Sequence, residues 1–257
     1  MTIDVNVHLS HWPFRRLPGD EPAELVSQPR RLGVQSAWAG SFDALLHRDL
    51  AGVNSRLVED CRRHGKDFLV PFGTVNPLMP FWDDDYNRCR EMKMPGLRLY
   101  PAWHGYSLNH PEFVKLLRKA AGDGMIVQID LRLEDERTQH PLVRLQPVAP
   151  APLPEVVAAI PRLRLVLLNH FGILKPELLS KTIAAGQVFV DIATVEGVGG
   201  IAKLLETVPA ARVLFGSHFP FFYFEAAELK MKESNLEPAI EKAIRSENAK
   251  RLLTGSQ

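Results

Sequence analysis

Short apolar runs recur along the chain and alternate with longer amphipathic stretches. Most of the runs are rich in Val, Ile, Leu or Phe, which is typical of parallel strands that are buried on both faces. The pattern therefore predicts eight strands, at residues 3–7, 34–39, 68–75, 96–100, 125–131, 163–169, 188–192 and 213–215.

The stretches between the runs carry helix signals. Residues 42–65, FDALLHRDLAGVNSRLVEDCRRHG, have apolar residues at helical spacing and end in Gly65, which suits a C-cap. Residues 110–124 and 175–187 place Pro near the first turn and Gly near the end, the usual asymmetry of helices. The Pro-rich segment 145–154 is interpreted as a βα loop that leads into a helix, and a domain linker is the alternative.

Strands that alternate with helices over 257 residues predict an α/β protein, a single (β/α)8 TIM barrel over residues 1–257. An open, doubly wound sheet is the alternative fold. The dinucleotide-binding form of that alternative is disfavoured, because no G-x-G-x-x-G sequence follows a strand.

The composition limits the partners and the location. Charged residues make up 24% of the chain and the net charge is +1, so neither nucleic acid nor an anionic membrane is an expected partner. No apolar run approaches the roughly 20 residues of a membrane span, and no signal peptide is recognisable. Cys61 and Cys89 fit free thiols in a reducing cytosol. We expect a cytoplasmic protein with a small-molecule substrate, and a homo-oligomer is possible.

Polar residues mark the carboxyl ends of several predicted strands, where barrel enzymes carry their chemistry. In the first strand, Asp4, Asn6 and His8 alternate with apolar residues, and this spacing places all three on one face of a strand. The fifth, sixth and eighth predicted strands end with Asp130, His170 and His218. Histidine and aspartate on separate rigid strands suit a metal site or acid/base catalysis.

Four short motifs together resemble a known enzyme family. They are IDVNVH at residues 3–8, NHFG at 169–172, LFGSHFP at 214–220 and SENAKRLL at 246–253. The chain resembles the amidohydrolase-related, metal-dependent hydrolases, the family that includes aminocarboxymuconate semialdehyde decarboxylase. The resemblance runs over nearly the whole chain and implies a (β/α)8 barrel.

The chain departs from the family pattern at several site positions. The family's first strand has D-x-H-x-H, and Asn6 replaces the first His of that motif. The family's fifth strand usually ends in a His ligand, where this chain has Asp130, and its G-S-D-x-P motif has Asp where this chain has His218. His170 matches the His of the sixth strand. The exchange between Asp130 and His218 leaves the sum of ligand types unchanged.

The resemblance implies a divalent metal, with zinc as the first choice. The predicted ligands are His8, Asp130 and His218, since one carboxylate and two imidazoles suit zinc or a similar ion. Asn6 joins the metal-site residues by its position, although its amide oxygen is a poor ligand for zinc.

The same resemblance implies a catalytic set of His170, Asp130 and Arg98. His170 is predicted as a further metal ligand or as the general base beside metal-bound water. We therefore predict a hydrolase that acts on a small, carboxylate-bearing substrate with metal-activated water. Two alternatives stay open: a non-oxidative decarboxylase that uses the same site, and a non-catalytic, metal-free barrel that binds a ligand or a partner.

Substrate contacts are predicted for several residues near the strand ends. Arg98 and Tyr100 share one face of the fourth strand, where Arg98 would bind a substrate carboxylate. The alternative for Arg98 is a structural role against a buried carboxylate. Arg137 and His140 lie in the charged loop after the fifth strand, and a solvated surface is the alternative there. Trp12 would contact an aromatic or apolar part of the substrate.

Overall fold

Eight parallel strands form a nearly closed barrel in the computed structural model, which describes residues 1–135, 137–143 and 145–255. The strands follow chain order around the barrel. The backbone N–H groups of Val5 and His8 donate to the carbonyls of Phe215 and Phe219, at 2.9 and 3.0 Å, and so join the last strand to the first. The predicted (β/α)8 barrel is confirmed, and the open sheet is wrong.

Each observed strand overlaps one of the predicted apolar runs. The eighth strand is the shortest, because the chain leaves the sheet there and returns to β1 through a bridge between Phe219 and Val7. The strands are β1 (Thr2–Leu9), β2 (Val34–Ser41), β3 (Leu69–Gly73), β4 (Gly96–Leu99), β5 (Ile126–Asp130), β6 (Arg164–Leu168), β7 (Gln187–Asp191) and β8 (Val213–Leu214).

The helices lie outside the barrel or follow its last strand. None of them, within the described part of the chain, combines the length and apolar character that a membrane crossing requires. They are α1 (Pro22–Arg31), α2 (Leu50–Gly65), α3 (Trp82–Glu91), α4 (Pro101–His104), α5 (Pro111–Gly122), α6 (Leu153–Ala158), α7 (Pro176–Ala184), α8 (Gly200–Leu204), α9 (Phe224–Glu233), α10 (Pro238–Lys242) and α11 (Asn248–Thr254).

The predicted helix at residues 42–65 is divided in two. A 3₁₀ turn covers Phe42–Leu45, and α2 then begins at Leu50. The division occurs because the Asp49 carboxylate accepts the backbone N–H of Gly52 at 2.9 Å, an N-cap that starts a new helix. The Pro-rich segment 145–154 is the predicted loop, and it leads directly into α6.

Apolar side chains fill the barrel below its mouth. Trp38 of β2 stacks on Phe72 of β3 with ring centroids 4.9 Å apart, and both are fully buried. Burying a side chain such as Phe72 contributes about 1.5–3 kcal/mol. The same interior cluster contains Ile3, Val5, Ile126, Val166, Leu168, Phe189 and Leu214. This packing leaves the carboxyl ends of the strands as the place for polar chemistry.

Candidate active site at the barrel mouth

Buried polar side chains from most of the strands meet at the mouth of the barrel. Parallel strands bring their carboxyl ends to one edge, so residues distant in sequence become neighbours there. The members of this network are at most 3% exposed. They are Asn6, His8, Arg98, Asp130, Asn169, Asp191 and His218.

Two side-chain amides form the centre of the network. Asn6 Nδ2 donates to Asp191 Oδ2 at 2.8 Å and to Asn169 Oδ1 at 3.0 Å. Asn169 Nδ2 donates to both oxygens of Asp130 at 3.2 Å and lies 3.4 Å from His218 Nδ1. Because an ionised carboxylate only accepts, each amide turns its NH₂ group toward an aspartate.

Asn169 reaches this position through its backbone conformation. Its φ is 55°, in the left-handed region that Asn adopts more readily than most residues. Its backbone N–H donates to Asp191 Oδ1 at 2.9 Å, which fixes the turn. Sequence reasoning missed Asn169, although the residue lies at the carboxyl end of an apolar run like the residues that were chosen.

His170, predicted as a further metal ligand or as the general base, forms no side-chain hydrogen bond with the network in the described part of the chain. The His8 and His218 rings are 5.7 Å apart, whereas His170 lines a separate cavity of about 570 Å³ bordered by α7 and α8. Neither ring nitrogen of His170 has a partner among the described residues. Burial lowers its pKa to about 4. The turn at Asn169 directs the amide to the mouth, and the next residue, His170, lines the other cavity.

The tautomers of the two mouth histidines follow from their partners. His8 Nε2 lies 3.3 Å from Arg98 Nη1, and because arginine only donates, this nitrogen accepts and Nδ1 carries the proton. His218 Nε2 lies 2.7 Å from the carbonyl of Leu133 and therefore donates, which leaves Nδ1 as the acceptor. Burial lowers the pKa of both rings, to about 3 for His218, so both are neutral.

Arg98 is fully buried and directs its N–H groups at protein acceptors. Nε donates to Gln128 Oε1 at 2.8 Å, and Nη1 donates to the carbonyl of Val7 at 2.7 Å. Nη2 donates to the carbonyls of Val5 and Trp38 at 3.0 Å. These contacts support a structural role for Arg98. Its acceptors are mainly backbone carbonyls, whereas the structural alternative from the sequence expected a buried carboxylate. Binding a substrate would require breaking these hydrogen bonds, which disfavours Arg98 as a substrate ligand.

Two buried carboxyl groups, Asp130 and Asp191, accept hydrogen bonds from the amides, and a third, Asp4, accepts the backbone N–H of Asn6. Burial raises the pKa of Asp130 to about 7 and that of Asp191 to about 6, although hydrogen bonds from the amides lower both. Burial also raises the pKa of Asp4 to about 7. Unlike Asn6 and His8, Asp4 bonds to the backbone after β8, because its carboxylate accepts the N–H of Ser217 at 3.0 Å. The pairing of β1 with β2 also has a register irregularity between Asp4 and Val7. Sequence reasoning missed Asp191, which ends the apolar run of β7.

The predicted substrate residues have different surroundings. Tyr100 is buried beside Arg98 and Asp130, and burial raises the pKa of its phenol. Arg137 is exposed and forms an ion pair with Asp135 at 2.6 Å, on the surface of the loop. Neither Tyr100 nor Arg137 lines the mouth cavity described below.

Trp12 and His140 belong to an aromatic cover over the mouth. Trp12 is 2% exposed and packs against Trp103 and Phe221, with ring centroids 5.5 and 4.9 Å apart. His140 is exposed and stacks on Phe14 at 5.6 Å. The cover shields the network from solvent, and Trp103 connects it to the mouth cavity.

A mouth cavity of about 410 Å³ opens beside Asp130, between the loops that follow β4, β5 and β6. Among the described members of the network, Asp130 is the one that lines it. Arg132 and Glu134 add charge to its wall. Its remaining lining includes Trp103, Leu131, Leu133, Val143, Leu145, Val148 and Ile173. The network therefore meets the cavity at a single residue, Asp130.

A metal ion would need lone pairs of His8, Asp130 and His218 at one point, about 2.0–2.2 Å away. In this structure those lone pairs face N–H donors instead. His8 Nε2 faces the cationic Arg98 at 3.3 Å, while Asp130 and His218 face the Asn169 amide at 3.2 and 3.4 Å. The guanidinium also repels a second cation at the His8 nitrogen. His8 Nε2 and Asp130 Oδ2 lie 4.0 Å apart, but N–H donors occupy the lone pairs that an ion would use, so these residues do not fit a metal ion unless they rotate away from those donors.

Ligand-type atoms converge at a different place, on the surface. In the part of the chain that the structure describes, those of His11, Asp20 and Glu21 lie within 4.8 Å of one another. Arg16 donates to Asp20 at 2.7 Å and to Glu21 at 2.6 Å. Because this guanidinium already bonds to both carboxylates, the cluster is an ion-pair network.

Comparisons with known proteins agree with the barrel. The profile of the amidohydrolase family matches residues 3–254. None of the curated protein sequences that were compared matches the chain.

Solved structures share the fold at low sequence identity. A 5-carboxyvanillate decarboxylase from Novosphingobium aromaticivorans, with bound manganese, has a TM-score of 0.73 and 14% identity, over 99% of this chain and 97% of its own. A 2,6-dihydroxybenzoate decarboxylase from Rhizobium has a TM-score of 0.70 and 12% identity, over 100% of this chain and 99% of its own. A 4-oxalomesaconate hydratase from Rhodopseudomonas palustris has a TM-score of 0.66 and 15% identity, over 99% of this chain and 96% of its own.

Proposed function

Because the chain belongs to the amidohydrolase family, we propose that it is an enzyme that transfers a proton to a small, carboxylate-bearing substrate. The reaction class that its site supports best is non-oxidative decarboxylation. The observation that carries this proposal is the position of Asp130, which belongs to the buried network and also lines the mouth cavity.

Asp130 has the properties of a general acid near neutral pH. Burial raises its pKa to about 7, so both the protonated and the ionised forms are populated at that pH. Decarboxylation replaces a C–COO⁻ bond with a C–H bond. Asp130 would give its proton to the substrate carbon as CO₂ departs, and the resulting carboxylate would accept hydrogen bonds from the Asn169 amide.

The cavity wall favours an aromatic or partly apolar acid. Trp103 and several aliphatic side chains supply apolar surface, and Arg132 supplies a positive charge for a carboxylate. An apolar wall also destabilises the charged carboxylate of the substrate relative to neutral CO₂. The decarboxylases among the solved structures act on substituted benzoates according to their names, which supports the same substrate class here.

The divalent metal, and zinc in particular, stays a prediction. Manganese is bound in two of the similar structures, but here Arg98 and Asn169 face the lone pairs that a metal would need. The proposed reaction therefore runs through Asp130 without a metal. Stoichiometric metal would favour metal-dependent chemistry, and the products would then distinguish hydrolysis with metal-activated water from decarboxylation.

The proposal is tested by incubating the purified protein with 2,6-dihydroxybenzoate and related benzoates and measuring CO₂ release. We expect Asp130→Asn to lower turnover by about 10²–10⁴-fold, the usual contribution of a general acid. Asp135→Asn, a change of the same kind in the following loop, should keep the activity. Hydrolytic products without CO₂ would favour the hydrolase, and the absence of any turnover on a broad panel would favour the non-catalytic barrel.

A further inference from the structure

Three arginines meet around a basal cavity at the end of the barrel opposite the mouth. Arg164 is the first residue of β6, Arg212 directly precedes β8, and Arg251 lies on α11. The basal cavity has a volume of about 410 Å³. Its other lining residues are Gln187, Phe189, Ala211, Leu252 and Gly255.

The guanidinium groups are held in place by neutral partners. Arg164 Nη1 donates to the carbonyl of Leu252 at 2.6 Å, and Arg251 Nη2 donates to the carbonyl of Ala211 at 2.8 Å. Arg212 lies over the ring of Phe189, 5.0 Å from its centroid. These contacts fix the three side chains and leave other N–H groups for a ligand.

Acidic partners are missing from this site among the described residues. No Asp or Glu there lines the basal cavity, and none forms an ion pair with Arg164, Arg212 or Arg251. Glu247 is close enough to sense the charge of Arg251, but its carboxylate binds Lys242 at 2.6 Å.

Such an arrangement has an electrostatic cost. Burial and the nearby charge of Arg251 both lower the pKa of Arg212, which means that the two cations repel each other. An anion between them would remove that repulsion and accept paired hydrogen bonds from the planar guanidinium groups. Phosphate groups match this geometry, since their oxygens accept bidentate contacts.

We propose that the basal cavity binds a phosphate-bearing anion, such as a phosphate ester or a diphosphate. The site is separate from the mouth, so it does not depend on the proposed decarboxylation. Arg212 and Arg251 are the main ligands of the anion, and Arg164 lines the cavity beside them.

The test uses inorganic pyrophosphate and the full chain. Thermal unfolding is measured with millimolar pyrophosphate and with sodium chloride of equal ionic strength. At about ten times its dissociation constant, pyrophosphate should raise the melting temperature by about 3–5 °C. Isothermal titration should give one site per chain.

Three variants make the test specific. Arg212→Gln and Arg251→Gln should each weaken pyrophosphate binding by at least about tenfold, the loss of one charge-assisted contact. Arg212→Lys should retain an intermediate affinity, because it keeps the charge but loses the fork. Arg62→Gln, an exposed change on α2, should bind like the unchanged protein.

Two results would overturn the proposal. One is an equal rise of the melting temperature in the unchanged protein and in both glutamine variants, since this would be a general salt effect. The other is the absence of heat and of any shift with pyrophosphate in a folded, monodisperse sample. Loss of decarboxylase activity in the Asp130 variant bears on neither result.

Discussion

The side-chain amide of Asn169 donates to both carboxylate oxygens of Asp130 at 3.2 Å. A neutral NH₂ group thus lies beside the carboxylate that the sequence predicts as a metal ligand. A metal ion would fix the charge of Asp130, whereas an amide leaves the carboxyl free to exchange a proton. The relationship therefore favours acid/base chemistry at this end of the barrel, and it leads to four predictions.

Replacing Asn169 with Ala should change the titration of Asp130. Hydrogen bonds from Asn169 lower the pKa of Asp130, which burial raises to about 7, so their loss should raise this pKa further. Because the acid must be protonated to donate, the limb of the pH–rate profile that falls at high pH should move to higher pH. Asn109→Ala, an exposed change, should leave the profile in place. A profile that stays unchanged while turnover falls would show that Asp130 does not govern that limb.

Replacing His170 with Phe should stabilise the protein at acid pH. The ordinary pKa of His is 6.5 and burial lowers that of His170 to about 4, so the unfolded chain binds a proton between these values while the folded protein does not. The contribution of His170 to stability therefore falls as pH falls from 6.5 toward 4, by on the order of 3 kcal/mol in total.

Thermal melts at pH 5 and pH 7 check this prediction. The difference between the two melting temperatures should be smaller in His170→Phe than in the unchanged protein, and turnover should persist, because His170 does not line the mouth cavity. His64→Gln, an exposed change, should leave the difference as it is. Complete loss of turnover in folded His170→Phe would return this residue to the catalytic set.

Replacing Arg98 with Met should destabilise the fold. The change removes the Arg98 donors from Gln128 Oε1 and from the buried backbone carbonyls of Val7 and Trp38, while the Val5 carbonyl keeps the N–H of Gln128 at 2.9 Å. We expect a loss of about 3–5 kcal/mol in the free energy of unfolding, measured with urea. Arg137→Met, an exposed change, should cost little. Unchanged stability with a raised KM would instead support the substrate contact predicted from the sequence.

Chelation should leave the stability of the purified protein unchanged. The lone pairs of His8, Asp130 and His218 are engaged by N–H donors, so the folded state does not depend on an ion at this place. Elemental analysis together with melting temperatures before and after dialysis against EDTA provides the measurement. Stoichiometric manganese or zinc, with a melting temperature that falls on chelation, would restore the metal-dependent alternative.

Hydrophobic periodicity was enough to predict the barrel, because each strand carries its own apolar run. Strand-end position also identified His8, Asp130 and His218 as members of the mouth. The same reasoning failed between Asn169 and His170, since one residue with a positive φ decides which side chain faces the mouth. The sequence gives no direct sign of that angle.

The partners of Arg98 could not be predicted for a different reason. Its acceptors are backbone carbonyls of β1 and β2, about 60 to 93 residues away along the chain. Carbonyl groups occur at every residue, so only the closed barrel determines which of them converge. Asp191 could have been predicted from its strand-end position, because it ends β7 as Asp130 ends β5.

The paired amides give the mouth a fixed hydrogen-bond direction. Neither Asn6 nor Asn169 can turn its amide by half a rotation without placing a carbonyl oxygen against an aspartate, so neither amide can reverse. The mouth is therefore preorganised before any ligand arrives, and little side-chain entropy remains to be lost on binding. The fixed pattern should also make the site selective. A ligand whose donors and acceptors do not match it would bind weakly, because the amides cannot rotate to form other hydrogen bonds.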